Sequence, residues 1–200
     1  MRQGTIKKIL DIVKKNGVVR PLDMSSHGVP KEYLSRMYRQ GLLSKAGRGL
    51  YVHPNSEPTE KRTLAEVGKR VPEGVVCLAS ALQFHEMTTQ MPALVWLAID
   101  RKARRPNEPQ LPIKIVRFSG AALTEGVEEH NIEGVSVKVY TPAKTVADCF
   151  KYRNKIGVDV AIEAIRDCRK QRKCSNDDLY RFAKICRVWN VMRPYLEAMS

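Results

Sequence analysis

The sequence predicts a mixed α/β chain in two parts. The first is a small amino-terminal module of three helices and a hairpin. The second is a larger α/β domain with a small sheet and a helical carboxyl-terminal half. Three observations predict this. Apolar residues recur at helical spacing within residues 5–40 and then give way to two short apolar runs around a Gly-rich tip. Beyond a Pro-rich polar stretch, short strand-like runs at 75–78, 94–99, 113–118 and 135–140 precede several amphipathic helical patterns. Charge is divided unevenly between the two parts.

Ile6, Ile9, Leu10 and Val13 define a first helix over about residues 5–15, and Asn16-Gly17 stops it. Val18-Val19 is a short extended link. Pro21 suits the first turn of a second helix reaching about Ser26. His27-Gly28-Val29 is a tight turn, Pro30 opens a third helix over about 31–40, and Gly41 closes it. Leu42 to Lys45 and Leu50 to Val52 then flank Ala46-Gly47-Arg48-Gly49 as a β-hairpin. Three helices followed by a hairpin is the layout of a winged helix-turn-helix.

At about 100° per residue, Leu34, Met37 and Tyr38 fall on one side of the third helix as its buried stripe. Ser35, Arg39, Glu32 and Arg36 fall on the opposite side, with Lys31 near the helix start. A helix-turn-helix lays such a face in the major groove, where Arg bonds guanine edges and Ser bonds base or phosphate. Glu32 is placed either to accept from a cytosine amino group or to support Arg36 one turn on. Lys45 and Arg48 sit on the hairpin, within reach of phosphates or the minor groove. The candidate DNA contacts are therefore Lys31, Glu32, Ser35, Arg36, Arg39, Lys45 and Arg48. The competing reading is a solvated basic helix on a protein-docking winged module.

The chain carries 35 Lys+Arg against 21 Asp+Glu, a net of +14. Residues 1–54 hold eleven of those bases and three of the acids, a net of +8, which leaves +6 for the remainder. A basic balance favours a polyanionic partner, because neutralising phosphates releases counterions. At 43% hydrophobic and 28% charged, the composition excludes a disordered tail. No apolar run approaches the ~20 residues of a membrane span, and the amino terminus lacks a signal-peptide core. The five cysteines are odd in number and scattered, so they read as reduced thiols of a cytoplasmic protein.

His53 to Thr59 has the Pro and polar content of a boundary. The predicted division is a DNA-binding domain over 1–54, a linker over 55–60 and a second domain over 61–200. In that domain a helix starts near residue 61, with Leu64, Val67 and Val71 in register. A strand follows at Val75 to Leu78, and Ser80 is a possible cap for the next helix. Val135, Val137 and Val139 alternate with polar neighbours. Thr141-Pro142 opens a helix whose buried side holds Val146, Cys149 and Phe150. Val158, Ile162 and Ile165 line the next helix, and Ser175 with Asp178 forms a capping box for another.

Catalytic signals are weak, and neither catalytic nor metal-binding residues are assigned. His85 and His130 lack a partner at metal-ligand spacing. Ser80 lies outside any nucleophile-elbow pattern, and a Gly-rich phosphate loop is missing. Asp100-Arg101-Lys102 is loosely similar to the acidic-x-Lys element of metal-dependent nucleases, but its middle residue is charged. Glu125, Glu128, Glu129 and Glu133 read as a solvated loop. Arg166, Arg169, Lys170, Arg172 and Lys173 crowd a helix carboxyl terminus, where basic residues are favoured in any case. That cluster suits either a structural role or a second DNA-backbone contact.

Gly47-Arg48-Gly49-Leu50-Tyr51, closing a winged helix, resembles the amino-terminal domain of AbiEi-type antitoxins of the type IV toxin–antitoxin group. Longer stretches resemble the same family: Cys77 to His85 with Thr88-Thr89-Gln90, Val95 to Ile99, Val116 to Gly120, Ile132 to Val135 and, most extensively, Thr141 to Arg153. The resemblance implies a bacterial antitoxin whose winged helix binds operator repeats in double-stranded DNA and represses its own operon. It implies a carboxyl-terminal domain that counters a nucleotidyltransferase-like toxin, without a stable complex between the two. No cofactor and no membrane partner is implied. The alternatives are a solitary winged-helix regulator or a DNA-targeted metal-dependent nuclease.

Overall fold

Helix α1 (Gln3–Asn16) ends where Gly17 takes a φ of +63°, a left-handed conformation that suits glycine. The structure, a computed structural model, describes residues 3–47, 49–56, 61–109 and 111–199. Helix α2 (Pro21–Ser25) starts with proline at its first position, and α3 (Glu32–Arg39) follows the turn at Gly28. At the end of α3, Gly41 donates to the Tyr38 carbonyl at 3.0 Å and Leu42 to the Met37 carbonyl at 2.9 Å. This paired closure through a left-handed glycine stops the helix and aims the chain into the wing. Strands β1 (Ser44–Gly47) and β2 (Leu50–Val52) pair antiparallel, with a register irregularity between Lys45 and Gly47. Val19 bridges to Tyr51, so the link after α1 becomes a third short edge of the wing.

The chain divides into two compact units. The first comprises residues 1–72 and 130–137, the second 73–129 and 138–200. The core of the first unit gathers Ile9, Val13, Val19, Met24, Val29, Leu34, Met37, Leu43 and Tyr51. Each of α1, α2 and α3 thus contributes its apolar stripe to one cluster, and each fully buried side chain of this size stabilises by about 1.5–3 kcal/mol. Helix α4 (Arg62–Arg70) also belongs to this unit, with Ala65, Val67 and Gly68 buried.

The main sheet has the order β5-β4-β3-β7-β6. Its strands are β3 (Val75–Val76), β4 (Val95–Asp100), β5 (Ile113–Phe118), β6 (Val127–Ile132) and β7 (Val135–Tyr140). Strand β3 pairs antiparallel with β4 and parallel with β7, and β4 pairs parallel with β5. Helices α5 (Leu78–Phe84), α6 (Ala121–Thr124), α7 (Pro142–Lys151), α8 (Arg153–Ile156), α9 (Val158–Lys170), α10 (Asn176–Ile185) and α11 (Trp189–Ala198) complete the chain. The fold is mixed α/β, with the carboxyl-terminal half helical from residue 142 onward, as the periodicities predict. Within the second unit, helix α7 packs against α5, α9 and α10. Residues 143–150 are buried on every side, as befits a helix enclosed by neighbours rather than a surface amphipath.

Several local expectations are corrected. The acidic stretch is not a loop, because Glu128 and Glu129 lie in β6. Glu133 and Gly134 form the two-residue turn into β7, both with positive φ as such a turn requires. Alternation is obscured there by a run of polar residues, so the strand had no apolar signature. Ser80 does not cap α5. Cys77 stands at the N-cap position, and the Ser80 hydroxyl inside the helix accepts from the Trp96 amide at 3.0 Å. Val158 is exposed and Ile162 half-buried, because Val160, Ala161, Ala164, Ile165 and Cys168 form the inner face of α9. Cys168 and Cys174 are joined as a disulfide, against the expectation of five free thiols, whereas Cys77, Cys149 and Cys186 are free and buried. The end of α9 and the turn after it bring the two Cα atoms to 5.8 Å, inside the bridging range.

Candidate nucleic-acid interface

The helix-turn-helix core is α2, the turn at Gly28, and α3. Leu34 and Met37 anchor α3 with no exposed surface. The opposite side of the helix then faces solvent: Lys31, Glu32, Arg36 and Arg39 are exposed and Ser35 is half-buried. Five sequence-predicted residues therefore share one accessible helix face. Lys45 is exposed on β1. Arg48 lies outside the described residues.

Tyr38 departs from expectation. It is 40% exposed rather than part of the buried stripe. Its ring packs edge-on against Tyr51 of the wing at 6.3 Å, and the Lys45 ammonium sits 4.6 Å from its centre. Tyr38 thus links the helix to the wing and holds Lys45 beside α3 through a cation–π contact. Angular position on the helix could not show this, since the partner residues come from the two wing strands, which fold back later in sequence.

The distribution of ion pairs sorts the basic residues. Asp23 accepts from Lys69 Nζ at 2.6 Å, and from the Arg20 amide and Nε at 2.9 and 3.1 Å. Burial alone would push the Asp23 carboxyl up, but these donors outweigh it and hold the group below its ordinary range. Arg20 and Lys69 are thereby committed to the scaffold, fixing the start of α2 against the end of α4. Lys8 Nζ donates to the His27 carbonyl at 2.9 Å and ties α1 to the turn before α3. By contrast, among the described residues no carboxylate lies within ion-pairing distance of Lys31, Arg36, Arg39 or Lys45. Glu32 does not pair with Arg36 among them either. The module presents uncompensated positive charge on α3 and the wing together.

Residues 7–54 match the family model described as transcriptional regulator, AbiEi antitoxin. Over those residues the amino-terminal module is similar to the AbiEi antitoxin family. The match spans the helix-turn-helix and wing and bears on that part of the chain. In fold, the chain is similar to the crystal structure of the RV2827C protein from Mycobacterium tuberculosis, with a TM-score of 0.60 and 13% identity over 90% of this chain and 70% of that one. That likeness is one of architecture. No curated protein matches the chain in sequence.

Beyond the amino-terminal module, the residues considered for catalysis have structural occupations. His85 Nε2 lies 2.7 Å from the Tyr140 carbonyl, and His130 is half-buried in β6. Asp100 Oδ1 accepts the Lys102 amide at 2.7 Å and closes the turn after β4. In the basic cluster, Arg169 donates to the Leu196 and Met199 carbonyls, and Lys173 to the His85 carbonyl. Arg166, Lys170 and Arg172 are exposed. Among the described residues no group of His, Cys, Asp and Glu could hold a metal ion, and no helix is long and apolar enough to cross a membrane.

A feature the sequence reading passed over is the pair Lys144 and Asp148. Both are buried in α7, and Lys144 Nζ donates to the two carboxylate oxygens at 2.7 and 2.6 Å. Burial pushes the Asp148 carboxyl up to about 6 against the pull of Lys144 and of the Cys186 thiol. The spacing of four was visible in sequence, but it describes a surface pair equally well.

Proposed function

We propose that this chain is a bacterial antitoxin and the autorepressor of a type IV toxin–antitoxin operon, acting on DNA in the cytoplasm without catalysis or cofactor. The observation that carries the reading is the unpaired basic face of α3 beside Lys45, on a module matching a transcriptional-regulator family. The domain over residues 1–54 seats α3 in the major groove of operator repeats. Arg36 and Arg39 contact bases or phosphates there, Lys31, Glu32 and Ser35 flank them, and Lys45 and Arg48 hold the adjacent backbone. Residues 61–200 counter a nucleotidyltransferase-like toxin without a stable complex. This half of the proposal rests on the family resemblance of the segments between Cys77 and Arg153.

The test is a mobility-shift titration on the DNA upstream of the chain's own operon, with growth measured under co-expression of the neighbouring gene. Tight, sequence-dependent binding and rescue of growth are expected. Binding without rescue would leave a solitary regulator. Cleavage of the DNA under Mg²⁺, lost in Asp100→Ala, would replace the proposal with a nuclease.

A further inference from the structure

In the second unit a cleft of about 460 Å³ opens between the end of β5, the turn into α6, and the carboxyl-terminal ends of α7 and α10. Three cations line it: Arg117, Lys151 and Arg187. Among the described residues none of the three has a carboxylate partner. Asp148 also borders the cleft, but its charge is matched by Lys144. The lining thus carries net positive charge around a concave volume in the range of small-molecule sites.

One of the cations is held rather than trailing in solvent, and the backbone fixes where a second emerges. Arg117 Nη1 donates to the carbonyls of Asp100, Arg101 and Ala103 at 3.1, 2.9 and 2.8 Å, which immobilises its guanidinium. Arg187 occupies the position that closes α10, with a φ of +57°, and the next amide, of Val188, reaches back to the Ala183 carbonyl at 2.8 Å. Glycine fills such a position without strain, and a side chain there is disfavoured. An arginine kept at that point places its charge at the cleft at the expense of local backbone comfort, a pattern that clusters at functional sites. Tyr152, packed on Phe118 at 5.6 Å and donating to the Arg117 carbonyl at 3.3 Å, supplies an aromatic wall.

We propose that this cleft binds a small phosphate-bearing molecule of about nucleotide size, with Arg187, Lys151 and Arg117 receiving the phosphate. Guanidinium groups match phosphate oxygens in forked geometry, and the lysine adds a mobile point charge. The lining extends to side chains as buried as Asp148 and Cys186, which favours a small ligand over the backbone of a duplex. This site is separate from the α3 face and does not depend on the DNA reading.

Isothermal titration of the full chain with pyrophosphate and with ATP, at low salt, tests the proposal. Saturable one-to-one binding is expected for at least one probe. Binding of ATP well above pyrophosphate identifies a nucleotide, and equal binding identifies the phosphate moiety as the determinant. Arg187→Gly should weaken the binding at least tenfold while the melting temperature holds or rises by a few degrees, since the strain at φ +57° is relieved. Lys151→Ala should weaken it several-fold in a folded protein. No saturable binding of either probe, or unchanged affinity in both variants, overturns the proposal. If the two variants lower only duplex-DNA affinity and neither probe binds, the cations belong to a nucleic-acid surface and the proposal also fails.

Discussion

Lys144 and Asp148 lie one helical turn apart on α7 and meet at 2.6 Å with side-chain exposures of 0% and 2%. Their charges are enclosed by the second unit's core, and the ammonium also lies 4.0 Å from the Tyr140 ring and 4.7 Å from that of Phe118. Breaking such a pair strands one buried charge. Lys144→Met alone should cost about 3–5 kcal/mol in urea unfolding, and so should Asp148→Leu. The double variant should cost less than the sum, because it leaves neither charge behind. Strict additivity would show that the pair is not coupled.

On α3, Arg36→Ala and Arg39→Ala should each weaken operator affinity by about 1–3 kcal/mol and relax specificity at one base position, if these side chains read bases. Both are exposed and neither packs on the core, so circular dichroism should be unchanged. Wild-type affinity in both variants would remove α3 from the interface.

Lys45→Ala should act differently. A wing contact to phosphate carries no sequence information, so affinity should fall equally for operator and unrelated DNA. The slope of log affinity against log salt should drop by about one unit. Loss confined to the operator would make Lys45 a base contact instead.

Asp23 predicts a pH dependence. Its folded pKa lies below the ordinary 3.8, so the stabilisation it provides is fully present above 3.8 and disappears as pH falls through the lower folded value. Asp23→Asn should therefore cost about 1–2 kcal/mol at pH 7, from the lost charged hydrogen bonds to Lys69 and Arg20. The cost should shrink as pH falls below 3.8 and the carboxyl protonates in the folded state. A penalty that persists in acid would mean the residue acts through shape rather than charge.

Gly134 offers a steric test within the first unit. Its φ is +76°, and a Cβ there would collide with the Asn16 backbone carbonyl. The neighbouring Glu133 carbonyl accepts from the Val18 amide at 3.3 Å, so the turn of the β6–β7 hairpin is seated against the end of α1. Gly134→Ala should lower the melting temperature by several degrees, from positive-φ strain and from separation of these backbones. Gly28→Ala, also at positive φ but open to space, should cost less.

Much of the amino-terminal module was legible in its sequence. Its stops and starts are local: Gly17 and Gly41 end helices through their own backbone freedom, and Pro21 opens one through its fixed φ. Helical periodicity separates Leu34 and Met37 from Arg36 and Arg39 without knowledge of any neighbour. Tyr38 was misplaced because its surroundings are supplied by Tyr51 and Lys45. Strand β6 went unseen because a polar strand has no signature without its pairing partner.

The sequence by itself determined the mixed α/β class, the helix-turn-helix with its wing, and the face that carries the charge. These follow from backbone conformation and from periodicity, which act over a few residues. Only the tertiary structure decided which charges are free and which are spent. It binds Arg20 and Lys69 to Asp23, buries Lys144 with Asp148, and brings residues 130–137 beside α1. It also gathers Arg117, Lys151 and Arg187 around one cleft. The physical reason is common to the three groupings of charge: a charge's role depends on the groups and solvent within a few ångströms of it. In this chain those groups are often dozens of residues away in sequence.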